Sequence, residues 1–366
     1  MGEAERPPVR VVHLVWSLHC GGLETMLVDI ANEQSSMADV YVIIGNDSHD
    51  PTILSHFNSG VTVKRLGRPV GSKNPWYITK LYAMLRLYRP DVIHAHHESF
   101  IRILQNLNVP KVLTVHTTGI KFSRFRNGYD AIYAISEAVK TDLLARYPDA
   151  SIGVIHNGVQ SSRINKKSKY GMRPFRLVQV SRLYHEQKGQ DILLKAFARV
   201  KREINEEEIT IDFIGEGPSK EFLMKLSREL GVDKWCNFLG QKNRDYIYHN
   251  LNTYDLLVQP SRHEGFGLTV IEAMAAKVPV LVSDIEGPME IIENGSFGYN
   301  FHSEDDQDCA KQIINILNVS KKAGFEVEQD RNSKYVNSRF DVELTARNYL
   351  GEYAAVYSAK KTSGMK

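Results

Sequence analysis

Short apolar runs alternate with amphipathic segments along almost the whole chain of 366 residues, and this alternation restricts the possible folds more than any other feature. In the first half the apolar runs are Val9–Trp16, Asp39–Ile44, Asp91–His96, Lys111–His116, Ala131–Ile135 and Ile152–Ile155. Near-continuous apolar runs of this length are typical of strands that are buried on both faces of a parallel sheet. The segments between them have helical spacing over Leu23–Asn32, Tyr77–Tyr88 and Glu137–Tyr147, with Ser136 as the N-cap of the last. The first half therefore predicts a doubly wound α/β domain.

A polar, basic segment without periodicity, Gln160–Arg173, interrupts the alternation and indicates a domain boundary. The alternation then resumes. The predicted strands are Phe175–Val180, Ile209–Ile214, Leu256–Gln259 and Val278–Val282, and the predicted helices are Gln190–Arg202, Ser219–Leu230, Gly267–Ala276 and Val342–Tyr357. At roughly 150 residues per domain, the length also favours two domains, and the cleft between two such domains is the expected ligand site.

The composition excludes several classes of protein. With 46 Lys and Arg residues against 43 Asp and Glu, the net charge of +3 is too small to indicate a nucleic-acid partner. Cys20, Cys236 and Cys309 are far apart and in no C-x-x-C arrangement, which favours a reducing cytosol over a disulfide framework. The first ten residues lack the apolar core of a secretory signal, and no stretch approaches the ~20 apolar residues of a membrane span. We therefore expect a cytoplasmic protein.

A glycine-rich turn after the predicted strand Leu256–Gln259 is the most informative segment for function. The turn contains Glu264, Gly265 and Gly267 and leads into a helix. The N–H groups at the start of a helix and its positive dipole end bind anions, and glycines let a phosphate approach the backbone. The N–H groups expected to serve this purpose belong to Phe266, Gly267, Leu268 and Thr269. Glu272, eight positions after Glu264, would accept both hydroxyls of a ribose, and an ordinary surface loop is the alternative interpretation.

Glu264 and Glu272, within EGFGLTVIEA, resemble the E-x7-E signature of the retaining glycosyltransferases of family 4. This resemblance implies the GT-B fold, in which two Rossmann-like domains face each other across a cleft. The acceptor-side domain would then span residues 1–165 and the donor-binding domain residues 166–340. The remaining helix, residues 341–366, would cross back and pack on the first domain.

Four further segments extend the resemblance in the expected order along the chain. The sequence from His19 to Glu24, HCGGLE, resembles the family's G-G-x-E loop, which implies that Gly21 and Gly22 approach the donor phosphates. His116, at the end of a predicted strand, resembles the active-site histidine that contacts the donor sugar. The segment Ile155–Val159 resembles the interdomain I-P-N-G-V, with His156 in place of proline.

The fourth segment resembles the family's G-R-L-x-x-x-K-G motif, with Ser181 in place of the first glycine and one extra residue before Lys188. The resemblance implies that Arg182 and Lys188 hold the diphosphate. Fixed cations at this place act as electrostatic catalysts, because negative charge grows on the leaving diphosphate. The catalytic residues implied are thus Arg182, Lys188, Glu264 and His116. By the same resemblance, the loops around Glu216 and Gly217 and around Phe238 and Gly240 lie near the base and ribose.

The family implies transfer of a sugar from a UDP- or GDP-sugar to a glycan or lipid-linked acceptor with retention of configuration, in the synthesis of a polysaccharide, lipopolysaccharide or glycolipid. No cofactor is expected. Two other classes stay open at this point. A nucleotide-sugar 2-epimerase of the same architecture would need no acceptor, and a non-catalytic sugar-nucleotide-binding subunit is compatible with the altered proline and the altered Arg-to-Lys spacing.

One histidine cluster and one acidic cluster have features of a metal site. His94 and His96 share one face of a predicted strand but lack a third ligand at an informative spacing. Asp306 and Asp308 form a D-x-D, yet Ser303 three residues before Asp306 indicates a helix N-cap with acids in the first turn. We therefore predict no metal.

Two basic segments bear on partners. The helix around Tyr77–Tyr88 has cations and aromatic residues that would suit a membrane surface, but Ile78, Leu81, Leu85 and Tyr88 are better explained as core. Peripheral contact with the inner face of the membrane is thus the alternative to a fully cytoplasmic location. Lys121, Arg124 and Arg126 follow His116, and from their place in the chain we expect an anionic or lipid-diphosphate acceptor near them.

Overall fold

The computed structural model describes residues 9–19, 21–123, 126–204 and 209–363. Cys20 and Arg124 lie outside these residues. The chain divides into two compact units, one formed by Met1–Gly158 together with Val342–Lys366 and the other by Val159–Asp341. The chain passes from the first unit to the second between Gly158 and Val159, inside the segment Ile155–Val159, and returns to the first unit after Asp341. The first and last residues of the second unit are neighbours, because Val159 forms a parallel bridge with Asp341.

The first unit contains a parallel sheet of seven strands in the order β3-β2-β1-β4-β5-β6-β7. The strands are β1 Arg10–Val15, β2 Asp39–Asn46, β3 Val61–Arg68, β4 Val92–Ala95, β5 Lys111–Val115, β6 Ala131–Ala134 and β7 Gly153–Val154. All six predicted strands of this half are confirmed. β3 was missed because it lies at the edge of the sheet and places exposed side chains, such as Lys64 and Arg65, in the middle of the strand.

The helices of the first unit include every one predicted. They are α1 Gly22–Gln34, α2 Pro51–Leu54, α3 Trp76–Tyr88, α4 Ile101–Leu104, α5 Glu137–Arg146 and α14 Val342–Ser363. Ser136 caps α5 as predicted, since its Oγ accepts a hydrogen bond of 3.1 Å from the N–H of Val139. The C-terminal helix α14 packs against α1, so the last helix of the chain completes the first unit.

The second unit repeats this architecture with a parallel sheet of six strands in the order β10-β9-β8-β11-β12-β13. The strands are β8 Phe175–Val180, β9 Ile209–Ile214, β10 Cys236–Phe238, β11 Leu256–Gln259, β12 Val280–Ser283 and β13 Tyr299–Phe301. Three predicted strands have the observed bounds, and β12 begins two residues later than predicted. The short strands β10 and β13 were not predicted.

The helices of the second unit flank this sheet. They are α6 His185–Lys188, α7 Gln190–Glu203, α8 Lys220–Glu229, α9 Arg244–Asn250, α10 Leu268–Ala275, α11 Glu286–Ile291, α12 Asp306–Val319 and α13 Phe325–Arg339. The core of the unit includes Phe197 on α7 and Phe213 on β9, both fully buried. Cys236 and Cys309 are buried free thiols.

Two details of the sequence-based prediction were wrong. The N-cap of α12 is Asp305 rather than Ser303, because the Asp305 carboxylate accepts hydrogen bonds of 2.9 Å from the N–H groups of Gln307 and Asp308. On α3, Leu81 and Leu85 are buried as expected, but Ile78 is 39% exposed and does not belong to the core. None of the helices in the described part of the chain is both long and apolar enough to cross a membrane.

Candidate active site

The sequence-predicted cations and acids of the second unit lie at the carboxyl end of its sheet, where the strand order changes direction. β8 and β11 are neighbours in the middle of the sheet. The strands that follow β8 in the chain, β9 and β10, lie on one side of this pair, and those that follow β11, β12 and β13, lie on the other. Ligands of doubly wound proteins bind outside the carboxyl ends of the strands at such a switch point. Lys188 follows β8 and Glu264 follows β11, so the two loops meet there.

Lys188 and Glu264 form an ion pair in which the lysine Nζ lies 2.6 Å from the glutamate Oε2. Their side chains are 17% and 18% exposed, so both are partly shielded from water yet accessible. Gln259, the last residue of β11, donates a second hydrogen bond of 2.8 Å to the same oxygen. The carboxylate of Glu264 is therefore fixed in position by two donors.

The turn that carries Lys188 is held closely against the loop after β11. Gly189 has φ +65°, and a Cβ at this position would lie 1.8 Å from the carbonyl oxygen of Pro260. Only glycine fits here, because both the backbone conformation and the space exclude a side chain. Arg262 adds a bidentate ion pair with Asp191 on α7, with distances of 2.8 and 2.9 Å.

Arg182 lies in the loop between β8 and α6, and its side chain is exposed. Its carbonyl oxygen accepts a hydrogen bond of 2.9 Å from Gln190, a buried residue at the start of α7. The next residue, Leu183, donates from its N–H to the carbonyl of Glu216 in the loop after β9 at 3.0 Å. Arg182 is thus a cation on a fixed backbone.

The loop after β9 packs directly on this backbone. A Cβ on Gly217 would lie 2.3 Å from the carbonyl oxygen of Leu183, which explains the glycine. The side chain of Glu216 is exposed and pairs with Lys220 at 2.8 Å. Gly240, after β10, joins the same edge because its carbonyl accepts from the N–H of Gly215 at 3.0 Å. Phe238 instead stacks on Phe213 at the core, with ring centroids 5.0 Å apart.

The helix α10 begins at the same edge, with Gly267 as its N-cap and Leu268 and Thr269 in its first turn. The Thr269 hydroxyl donates to the Oε1 of Gln259 at 2.7 Å, which orients the Gln259 amide so that its Nε2 faces Glu264. Phe266 is 2% exposed and Glu272 is 9% exposed. Glu272 thus lies on the side of α10 that is turned away from water.

The predicted residues of the first unit lie at the equivalent edge of its own sheet. His116 follows β5, and its Nε2 lies 3.1 Å from the Nδ1 of His96, which follows β4. Burial lowers the pKa of His116 to about 4, so its ring is neutral at neutral pH. Gly21 is the extended N-cap residue of α1, which begins at Gly22.

The basic loop after β5 is only partly available to an anionic acceptor. Arg126 pairs with Asp149 at 2.5 Å and lies 5.2 Å over the ring of Tyr147. Lys121 is exposed.

Sequence reasoning missed several residues that organise these sites. Gln259 and Arg262 hold the loops around Lys188 in place, and His13 completes a histidine cluster with His94 and His96, whose ligand atoms lie within 4.8 Å of one another. Gln259 has a local signal, since it is a buried polar residue at the end of an apolar strand. His13 has none, because its proximity to His94 depends on the pairing of β1 with β4.

Two Rossmann-like units, each built on a parallel sheet flanked by helices, define the architecture of the GT-B class. Residues 160–330 match the family of glycosyl transferases group 1, and residues 20–163 match glycosyltransferase family 4. The chain belongs to the family 4 type of GT-B glycosyltransferases, and it is a transferase.

Curated relatives agree with this assignment. The chain is 26% identical over 302 residues to a glycogen synthase of Mycobacterium tuberculosis, which covers 75% of the chain and 70% of that protein. It is also 26% identical over 357 residues to an uncharacterised glycosyltransferase of Methanocaldococcus jannaschii, covering 86% and 87%. Among solved structures, Anabaena HepE in complex with UDP and glucose has a TM-score of 0.77 at 20% identity, covering 94% and 99%. This structural similarity supports the fold.

Proposed function

We propose that the protein transfers a hexose from a nucleoside diphosphate sugar to an acceptor hydroxyl with retention of the anomeric configuration. The observation that supports this most directly is the Lys188–Glu264 pair of 2.6 Å over the switch point of the second sheet. A cation and a carboxylate at this place match the two parts of the donor. The cation suits the diphosphate, and the carboxylate suits the hydroxyls of the sugar.

In the proposed reaction, the bond between the anomeric carbon and the diphosphate oxygen breaks, and its electron pair stays on the diphosphate. The acceptor hydroxyl oxygen forms the new bond to the anomeric carbon on the same face, and its proton passes to the leaving diphosphate oxygen. No protein nucleophile is required. Lys188 and Arg182 stabilise the negative charge on the diphosphate, and the N-terminus of α10 adds to this effect.

The remaining predicted residues are proposed to take the roles that the family resemblance implies. Glu264 is proposed to bind the sugar, Glu272 the ribose, and His116 the far side of the sugar. Gly21 and Gly22 are proposed to lie near the phosphates, as are Gly267, Leu268 and Thr269. The loops with Glu216, Gly217 and Gly240 are proposed to border the nucleoside, with Phe238 and Phe266 supporting them from the core. Neither a metal nor any other cofactor has a role in this scheme.

The donor class is proposed from chemistry and from one relative. HepE is a fold neighbour that was crystallised with UDP and glucose, so UDP-glucose is the first donor to test. A GDP-sugar, the other donor that the family resemblance implies, is the second. For the acceptor we propose a glycan or a lipid-linked glycan of a polysaccharide, lipopolysaccharide or glycolipid pathway. We propose that the enzyme works in the cytoplasm, with peripheral contact at the inner membrane face as a second possibility for a lipid acceptor.

The first experiment identifies the donor and the reaction together. A thermal-shift panel of nucleoside diphosphate sugars selects the donor, because a ligand that binds only the folded state raises the melting temperature. The selected donor is then incubated with a glycan acceptor panel, and release of nucleoside diphosphate and the NMR coupling of the new anomeric proton are recorded. An inverted product would overturn retention, and no release with any acceptor would favour a non-catalytic binding subunit.

The same material separates transfer from epimerisation. A 2-epimerase would change the sugar with the donor alone, whereas a transferase leaves the sugar configuration unchanged until an acceptor is present. Sugar analysis after incubation without acceptor therefore distinguishes the two.

A further inference from the structure

A chain of hydrogen bonds runs through the interior of the first unit and ends at His116. The Nε2 of His13 lies 2.8 Å from the Oε1 of Gln34, and the Nδ1 of His13 lies 3.0 Å from the Nε2 of His96. The Nδ1 of His96 then lies 3.1 Å from the Nε2 of His116. Gln34, His13 and His96 are at most 4% exposed, so water does not compete for these bonds.

The Gln34 amide oxygen faces His13, and the polarity of the hydrogen-bond chain follows from this contact. Burial lowers the pKa of His13 and His116 to about 4 and that of His96 well below its usual value, so all three rings are neutral at neutral pH. A neutral imidazole has one N–H and one acceptor nitrogen. Because an amide oxygen only accepts, His13 must donate from Nε2 and accept at Nδ1. His96 must therefore donate from Nε2, and His116 must donate from Nε2 to His96.

A second set of bonds joins Gln34 to the other buried histidine, His94. The Nε2 of Gln34 donates to the hydroxyl of Tyr353 at 3.4 Å, and this hydroxyl lies 2.6 Å from the Nδ1 of His94. The Nε2 of His94 then lies 2.8 Å from the Thr114 hydroxyl. Gln34 thus presents its oxygen to one histidine chain and its nitrogen to the other.

We propose that Gln34, His13 and His96 are positioning residues that hold His116 with its hydrogen on Nε2 and keep Nδ1 as an acceptor for a hydroxyl of the bound sugar. The Nδ1 of His116 is buried and has no hydrogen-bond partner among the residues that the structure describes. A buried acceptor of this kind is satisfied when a ligand hydroxyl donates to it. The identity of the ligand as a sugar rests on the proposed function, whereas the tautomer does not.

The histidines are explained better by this chain than by a metal ion. His13, His94 and His96 place their ligand atoms within 4.8 Å of one another, which is compatible with a cation site. However, both ring nitrogens of each of the three are already engaged, with Gln34, Tyr353, Thr114, His116 or one another. A metal would have to break the bond between His13 and His96 to obtain a lone pair from each.

The tautomer can be read directly in the ligand-free protein. Long-range proton–nitrogen NMR of the protein labelled with ¹⁵N-histidine distinguishes protonated from unprotonated ring nitrogens, and the H116Q variant assigns the His116 signals. We expect a single His116 tautomer with its hydrogen on Nε2 at pH 7.5. A hydrogen on Nδ1, or an imidazolium, would overturn the proposal without any assay of activity.

Substitutions of Gln34 test whether the far end of the chain sets the tautomer. Gln34→Met has a similar size but no acceptor, so His116 should show both tautomers, and kcat/KM should fall by the fraction in the other form, about twofold for equal populations. Gln34→Glu keeps an acceptor and should restore the single tautomer. Thr114→Val is the matched control, since it removes hydrogen bonds from the same cluster but leaves this chain intact.

Three results would contradict the proposal. The first is an unchanged single tautomer in folded Q34M, and the second is a mixture in T114V equal to that in Q34M. The third is a shift of the ring nitrogens of His13, His94 and His96 together on addition of one equivalent of zinc chloride, which would identify a metal site. If Q34M does not fold, the wild-type spectrum still decides the tautomer. An Nε2–H tautomer in a protein without transferase activity would refute the proposed function alone.

Discussion

Lys188 and Glu264 are 76 positions apart in the chain, yet the lysine Nζ and the glutamate Oε2 lie 2.6 Å apart. The pair joins the loop that follows β8 to the loop that follows β11. Each side chain is less than one-fifth exposed, so neither charge is fully hydrated. The pair therefore holds the Lys188 cation at the place where the diphosphate would bind in the proposed reaction.

Lys188→Ala should slow turnover strongly. Loss of one preorganised electrostatic donor typically raises the barrier by about 2–4 kcal/mol, and the same range is expected for Arg182→Ala. Release of nucleoside diphosphate at saturating donor is the measurement. Lys225→Ala is the matched control, because Lys225 forms an exposed helix pair with Glu229 at 3.4 Å. Full activity in K188A or in R182A would refute the role of that residue.

The ion pair should matter more for activity than for stability. In a double-mutant cycle with Lys188→Met and Glu264→Gln, we expect a coupling in the free energy of unfolding of about 1 kcal/mol or less, because partly exposed pairs are screened by water. The coupling in kcat/KM should be larger, since the donor contacts both groups in the proposed complex. Urea titrations and initial rates on the four proteins give the two couplings. A stability coupling that exceeds the kinetic one would indicate a purely structural pair.

Gly189→Ala should destabilise the second unit by more than about 2 kcal/mol. The new Cβ would lie 1.8 Å from the carbonyl oxygen of Pro260, at a backbone position with φ +65°. Gly231→Ala provides the control, because Gly231 has φ +70° and a Cβ added there would meet nothing within 4 Å. It should cost only the ~1 kcal/mol of a left-handed backbone. Equal costs, measured by urea unfolding, would mean that the close approach to Pro260 is absent in solution.

The stability of the first unit should fall as the pH is lowered from about 6.5 towards 4. Burial lowers the pKa of His13 and His116 to about 4 and that of His94 and His96 well below its usual value, while a histidine in the unfolded chain has a pKa near 6.5. Below pH 6.5 these histidines therefore bind protons in the unfolded state, whereas they stay neutral in the folded state. Each such histidine lowers the free energy of unfolding by about 1.4 kcal/mol per pH unit in this window and has no effect above it.

Melting temperatures between pH 7.5 and 4.5 test this dependence. Tyr349 and Tyr353, which face the cluster from α14, stay neutral throughout because burial raises the pKa of both hydroxyls. His13→Gln should make the dependence shallower by one proton. His263→Gln, at an exposed position, is the control substitution. A wild-type protein that is equally stable at pH 7 and 5 would contradict a neutral buried cluster.

Transfer should not depend on a divalent cation. Lys188, Arg182 and the start of α10 supply the positive charge that a metal would otherwise bring to the diphosphate in the proposed reaction. Initial rates before and after dialysis against EDTA should agree. A loss of activity that magnesium or manganese chloride reverses would show that the proposed reaction lacks a metal ion.

The sequence predicted the fold well because its strongest signal is local. Buried parallel strands such as β9 and β11 are short apolar runs with clear ends, and both were predicted with the observed bounds. β3 differs because it lies at the sheet edge and has two consecutive exposed residues, Lys64 and Arg65, in its middle. The N-cap of α12 was misplaced because Ser303 and Asp305 are both good capping residues, and only the backbone geometry decides between them.

The arrangement of the site is less accessible from sequence, because it depends on which strands are neighbours. Lys188 and Glu264 were each singled out from a resemblance, but their contact follows from the pairing of β8 with β11. His13 was not singled out at all. It lies beside His94 because the two residues are register partners in β1 and β4, and no local pattern encodes that register.

The first unit is made of two pieces of chain that are separated by the whole second unit. Tyr349 and Tyr353 of α14 are fully buried and give Thr114 and His94 their hydroxyl partners. A ribosome delivers these tyrosines only after Val159–Asp341 has been synthesised, and domains generally fold as they emerge. The hydrogen bonds of Thr114 and His94 with these tyrosines therefore cannot form until α14 has been synthesised. The interior network of the first unit thus depends on a segment that is translated after the whole second unit.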